Sequence, residues 1–187
     1  MADLILCDCF GVVLDEVAVP WFHEHFKDQK QADELKAKFF DRIDLGDVPL
    51  EDAFIEMEKE LGYDHEELAK DWNRRIRLRE DVLSYLESLR AKGNKLVLVS
   101  NAGKPFMYGI VDMFDFKSNF DKIFLSCDYR MAKPDPRFYR LALDAYDEKF
   151  EHIYMIDDNP KNLAPLEALG VQGILYTDLE SLKKALK

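Results

Sequence analysis

The stretch Leu4-Ile5-Leu6-Cys7-Asp8-Cys9-Phe10-Gly11-Val12-Val13-Leu14-Asp15 decides how the rest of the chain is read. An apolar run from Leu4 to Cys9 carries a carboxylate near its end, and a glycine follows three positions after that acid. Such a run, with no regular polar alternation, predicts a strand buried on both faces, the habit of parallel sheets. The glycine predicts a turn directly beyond it.

Working outward, four more short apolar runs have the same texture: Lys95–Val99, Ile123–Leu125, Ile153–Ile156 and Gly173–Tyr176. Helical patterns separate the later ones. In the segment Pro136–Tyr146, Phe138, Leu141, Ala142 and Ala145 share one face; a second segment, Asn162–Leu169, ends at Gly170. Thr177 and Glu180 have the spacing of a capping box for a last helix. Strands alternating with helices predict an α/β fold, a parallel sheet with helices on both faces.

The interval between the first and second strands is too long for one crossover. Within it Leu50, Ala53, Phe54, Met57 and Leu61 form one helical stripe that stops at Gly62, as a C-terminal cap should. Asp64 with Glu67 opens another helix, carrying Leu68 and Trp72; Val82, Tyr85, Leu86 and Leu89 mark a third. The expected organisation is therefore a core of residues 1–14 and 82–187 with an α-helical insert at 15–81. Trp21, Phe22, His23 and Phe26 are read chiefly as the interior of that insert.

Composition sets the class of partner. Of 187 residues 48% are hydrophobic, enough for a packed core, and 26 basic against 37 acidic side chains leave a net charge of −11. Such a surface repels nucleic acid and anionic membranes, so the expected partner is a small molecule. The N-terminus has no basic leader, and no stretch approaches the roughly 18–20 apolar residues of a membrane span. Cys7, Cys9 and Cys127 are read as reduced thiols, which predicts a cytoplasmic protein.

In an open parallel sheet, ligands gather beyond the carboxyl ends of the strands. Asp8 stands there after the first strand, Ser100-Asn101 after the second, and Asp157-Asp158-Asn159 after the fourth. Lys133-Pro134-Asp135-Pro136 lies in the loop after the third. Singly, each is ordinary turn or capping chemistry. Together they bring three carboxylates to one rim. Two unit charges 4 Å apart repel by about 4 kcal/mol at an effective dielectric of 20, so Lys133 and a divalent, oxygen-seeking ion such as Mg²⁺ are the expected compensation. Cations set against an anionic nucleophile are the apparatus of phosphoryl transfer.

The order Asp-x-x-Gly-Val, Ser-Asn, Lys-Pro and Asp-Asp-Asn along Asp8 to Asp158 resembles the haloacid dehalogenase superfamily, most closely its phosphatase branch with a small helical cap. The resemblance implies a Rossmann-like core and an enzyme that hydrolyses small phosphorylated metabolites such as sugar phosphates. It implies that Asp8 is the nucleophile and forms an aspartyl-phosphate. Mg²⁺ would be held by Asp8, the carbonyl of Phe10, and Asp157 or Asp158. Ser100 and the amides after Asp8, Gly11 among them, would bind the phosphoryl group. Lys133 would neutralise charge and Asn101 would shape the loop and help to orient substrate.

One departure stands out. Phosphatases of this family commonly place a second Asp two residues after the nucleophile as general acid and base; here that residue is Phe10. Such help is worth roughly 10²–10⁴-fold, so turnover of alkyl phosphates is expected to be weak unless Asp15, His23, His25 or another group substitutes. Phe10 also supports two alternatives, a metal-free haloacid dehalogenase and a catalytically weak binding or regulatory member. A receiver domain would carry its acidic pair first. A dinucleotide-binding domain would need a Gly-x-Gly-x-x-Gly that no strand here precedes. A mutase must return a proton where Phe10 stands.

Overall fold

The computed structural model describes residues 1–186. Five strands, β1 (Leu4–Cys7), β2 (Lys95–Ser100), β3 (Lys122–Leu125), β4 (Ile153–Asp157) and β5 (Gln172–Leu175), form one sheet in the order β3-β2-β1-β4-β5. All four pairings are parallel. Strand alternation accounts for the double burial. Ile5, Cys7, Leu96, Leu98, Tyr154 and Ile156 face one apolar layer, and Leu4, Leu6, Val97, Val99 and Met155 face the other.

Among the described residues, eleven helices lie around the sheet. They are α1 (Ala18–His25), α2 (Gln29–Asp44), α3 (Leu50–Leu61), α4 (His65–Arg75), α5 (Glu80–Arg90), α6 (Phe106–Met113), α7 (Phe116–Asn119), α8 (Ser126–Tyr129), α9 (Pro136–Leu143), α10 (Pro160–Leu163) and α11 (Leu179–Ala185). Helices α1–α4 form the insert between β1 and β2. Asp28 and Asp64 cap α2 and α4 by accepting from backbone amides one turn in. Leu50, Ala53, Phe54 and Met57 bury the predicted stripe of α3, which ends on the left-handed Gly62. Trp21 and Phe22 are buried interior residues of the insert, packed tilted and edge-on in a cluster with Phe40, Phe54 and Trp72.

Two chain segments join insert and sheet, and they pair with each other. Leu14 bridges Leu78 antiparallel; Asp15 N–H donates to Arg77 O at 3.0 Å, and Arg79 N–H to Val13 O at 2.9 Å. Arg79 also donates to the Asp15 carboxylate at 2.8 Å and to Gly11 O.

Three local expectations change. Strand β1 ends at Cys7 because the Asp8 carboxylate accepts the Cys9 amide at 2.6 Å, and Cys9 O accepts from Val13 and Leu14 as the chain turns. The helix expected over Asn162–Leu169 is two pieces, α10 and a 3-10 turn at Glu167–Leu169; Pro165 between them has no N–H to continue the ladder. The last helix is capped by Asp178, which accepts from Ser181 N at 2.8 Å, rather than by a Thr177–Glu180 box. Among the described residues no helix is long and apolar enough to cross a membrane.

Candidate active site

Strand order places the site. The chain runs outward from central β1 to β2 and β3, then returns to β4 and β5 on the opposite side, so β1 and β4 flank the point where direction reverses. Cys7 is level with Ile156 and with Leu98. The next residue, Asp8, is therefore level with Asp157 on one side and Val99, the neighbour of Ser100, on the other.

Lys133 comes from the crossover between β3 and β4, and its side chain is wholly buried. Its Nζ lies 2.8 Å from Asp8 Oδ1 and 2.7 Å from Asp157 Oδ2. Asn101 holds the crossover in place by a two-way clasp: its Nδ2 donates to Lys133 O at 2.9 Å, and its Oδ1 accepts Lys133 N–H at 2.8 Å. Burial of an ammonium is costly alone, but the two facing carboxylates keep the Lys133 pKa above its ordinary value. Burial pushes the Asp8 carboxyl well above the usual carboxylate range, with Lys133 opposing and the charges of Asp157 and Asp158 adding to the rise.

The adjacent acids Asp157 and Asp158 differ. Both Asp157 oxygens are taken: besides Lys133 they accept Asn159 N–H at 2.9 Å and Asn162 Nδ2 at 3.0 and 3.1 Å. Asn162 is fixed in turn, its carbonyl accepting the buried Tyr139 hydroxyl at 2.6 Å. Asp158 is only partly buried, and no side chain among the described residues donates to it. Burial first, then the charges of Glu16 and Asp157, raise its pKa to about 6. It approaches over Gly11, where a Cβ would sit 2.1 Å from Asp158 Oδ2 and where φ is +84°. Only glycine fits both requirements.

Asp8, Asp157 and Asp158 each offer an oxygen within 4.8 Å of the others. Three carboxylates against the single ammonium of Lys133 leave two formal negative charges, which a divalent cation balances. Oxygen donors alone suit Mg²⁺, whose ligands stand about 2.0–2.1 Å away. The donor set and the glycine cradle thus fit the ion. Among the described residues, the buried Ser100 Oγ has no hydrogen-bond partner, an exceptional state for a hydroxyl and one that an incoming phosphate oxygen would satisfy.

Phe10 turns its ring onto Phe106, centroids 6.4 Å apart and nearly parallel. The sequence candidates for replacing an acid there are engaged elsewhere. Asp15 pairs with Arg79, His23 Nε2 with Asp33 at 2.8 Å, and His25 Nδ1 with Trp21 O at 2.8 Å. Sequence reading missed Asn162 and Tyr139 as supports of Asp157; an Asn five residues after an acid at a strand end was the available signal.

Sheet order and strand-end residues together define a hydrolase core of the haloacid dehalogenase type. The chain belongs to that family: the model for haloacid dehalogenase-like hydrolases matches residues 2–170. It is similar to the drimenol cyclase drtB of Aspergillus calidoustus, 24% identical over 81% of this chain but only 30% of that protein. The sesquiterpene phosphatase astK of Aspergillus oryzae is 24% identical over 77% of this chain and 75% of its own. Among solved structures, the HAD family enzyme bt-2542 of Bacteroides thetaiotaomicron superposes with a TM-score of 0.78, at 18% identity, covering 100% of this chain and 98% of that one. A wild-type crystal form of that enzyme contains magnesium and inorganic phosphate, and matches at a TM-score of 0.74 and 19% identity over 97% and 99% of the two chains.

Proposed function

We propose that this hydrolase is a Mg²⁺-dependent phosphatase of small phosphate esters such as sugar phosphates, acting through an aspartyl-phosphate on Asp8. The observation that carries the reading is the buried Asp8–Lys133–Asp157 bridge beside the unpartnered Ser100 hydroxyl. A phosphatase among the relatives, and a structural neighbour that holds magnesium with phosphate, support the same chemistry.

In this reading residues 1–14 and 82–187 are the catalytic core and residues 15–81 a cap that selects the leaving group. Asp8, the Phe10 carbonyl and Asp158 hold the ion, which when bound neutralises charge on the phosphate and the nucleophile. Asp157, saturated by four donor contacts, instead holds Lys133 against Asp8. Asp8 attacks phosphorus and Ser100 receives a phosphoryl oxygen; the Gly11 amide, expected to share that task, instead donates to Leu14 O at 2.8 Å, and the Cys9 amide to Asp8 Oδ1 at 2.6 Å. Three buried, unpaired cysteines suit a reducing compartment such as the cytoplasm, and the negative surface suits a small metabolite rather than nucleic acid or membrane.

The test is a phosphate-ester panel with and without EDTA, comparing wild type with Asp8→Asn. We expect metal-dependent phosphate release that falls on the order of 10⁶-fold in the variant, as loss of a nucleophile does. Release that ignores both EDTA and the substitution overturns the proposal. Phe10 favours a second reading, dehalogenation, in which no metal balances Asp157 and Asp158; turnover of 2-haloacids in EDTA would support it.

A further inference from the structure

We propose that Asp44, the last residue of α2 and part of the insert, is the general acid and base that Phe10 does not supply. The inference rests on the phosphatase reading above and names a catalytic residue for it.

An alkyl phosphate cannot expel its alkoxide cheaply without a proton, and the ring at position 10 has none to give. Asp44 is fastened through its backbone to the segments that follow β2 and β3. Its backbone carbonyl accepts the Ser126 hydroxyl, which in turn accepts the N–H of Ala102 at 3.0 Å, two residues beyond Ser100. Two glycines permit this close docking. A Cβ on Gly103 would meet Ile43 Cγ2 at 2.2 Å, and one on Gly46 would meet Cys127 O at 2.7 Å. Arg130 pairs with Asp47 just beyond. Residues 43–47 are thus fastened to the segments after β2 and β3, which follow directly on Ser100 and carry Asn101 and Lys133.

The Asp44 carboxyl is the one acid of this rim left without work. Asp157 is saturated, Asp15 is paired with Arg79, and Glu16 accepts the Val19 amide at 3.1 Å. Asp44 has no hydrogen bond to its carboxyl among the described residues. The charged or titratable groups around it are Lys36 and Asp41 on its own helix, Glu16 from the linker, and Lys133 and Cys127 from the core. It also ends a helix, where the partial negative charge of the carbonyls disfavours a carboxylate. Burial is the largest influence, and the pKa rises to about 7, the range in which one group serves as acid and then as base. The Cys127 thiol, pushed up to about 11 mainly by burial, stays neutral beside it.

The steps balance. Asp8 Oδ bonds to phosphorus as the ester P–O bond breaks, and the carboxyl proton of Asp44 passes to the departing oxygen, releasing the alcohol. Asp44, now a carboxylate, takes a proton from the water that attacks the aspartyl-phosphate. The P–Oδ bond breaks, inorganic phosphate leaves, and Asp8 and Asp44 return to their starting forms.

The test is Asp44→Asn in the full-length protein with Mg²⁺, followed by rapid mixing with p-nitrophenyl phosphate and by steady-state turnover of an alkyl phosphate. p-Nitrophenolate needs no proton to leave. We expect the first-turnover burst of nitrophenolate to stay within about threefold of wild type. Alkyl phosphate kcat/KM should fall roughly 10²–10⁴-fold, with partial recovery in Asp44→Glu. Equal losses on both substrates, or no loss on either, overturn the role of Asp44 while leaving an Asp8-dependent phosphatase standing. Activity indifferent to Asp8→Asn removes the phosphatase reading itself.

Discussion

The seam between β1 and β4 and the interior of α1–α4 are built on opposite principles. At the seam, charge does the specifying: Lys133 is held within 2.8 Å of Asp8 and 2.7 Å of Asp157, with the latter's remaining lone pairs filled by Asn159 and Asn162. In the insert, aromatic packing does it. Phe40 stacks on Trp72 at 4.9 Å, and Phe54 and Trp21 meet the same ring at 5.6 and 6.3 Å. A polar network in low dielectric tolerates almost no displacement, because each unpaired partner is costly. An aromatic cluster tolerates repacking, since it asks only for volume and shape. A rigid reaction centre with a more adaptable insert is the division expected under the proposal that the insert selects the leaving group.

Lys133→Met is the hardest blow to that contrast. It leaves Asp8 and Asp157 buried without their cation, and breaking such a pair costs about 3–5 kcal/mol. Denaturant unfolding without added metal should show that loss, and phosphatase activity should vanish with it. A variant as stable as wild type would mean that the seam is not held by charge. Trp72→Ala removes a comparable amount, about 3–5 kcal/mol, but from the other region. Hydrogen exchange should then show amides of α1–α4 losing protection before those of β1, β2 and β4. Simultaneous loss in both regions would dissolve the distinction.

Gly11→Ala probes the seam more gently. Positive φ costs an L-residue roughly 1–2 kcal/mol, and the new methyl would collide with Asp158 Oδ2. The sheet should survive while Mg²⁺ affinity, read by titration calorimetry, falls about 10-fold or more, as with other disturbed ligand supports. Unchanged affinity would argue against Asp158 as a ligand.

The two regions also differed in how far they were legible beforehand. Asp8, Ser100, Lys133, Asp157 and Asp158 stood out because strand ends are fixed by apolar runs, and a parallel sheet sends every such end to one rim. Asn162 and Tyr139 did not, because their part depends on how α9 and α10 pack behind β4, which no local pattern encodes. The broken helix after Asn162 was legible in Pro165 but outweighed by the apolar periodicity around it. In the insert, periodicity disclosed the buried stripe of α3 yet said nothing of which helix end would touch the sheet. Asp44 was invisible for that reason: it is one acid among many on a charged helix until Ser126 and Gly103 show where that helix docks.

Asp44 therefore offers the smallest and sharpest test, one of stability rather than turnover. Its folded-state pKa of about 7 lies above the ordinary value of 3.8, chiefly through burial. Near pH 3 and below, under both values, the carboxyl is largely protonated in both states and contributes little to the difference. As pH rises toward 7 the unfolded chain releases the proton first, so folding grows less favourable, and above 7 the penalty is constant. Asparagine cannot ionise and escapes it. The melting temperature of Asp44→Asn relative to wild type should match near pH 3, climb through pH 4 to 6, and level off above pH 8 at a gain of a few degrees. A difference that stays flat across that range would place the Asp44 carboxyl in open water, and would separate the insert from the reaction centre on which it is docked.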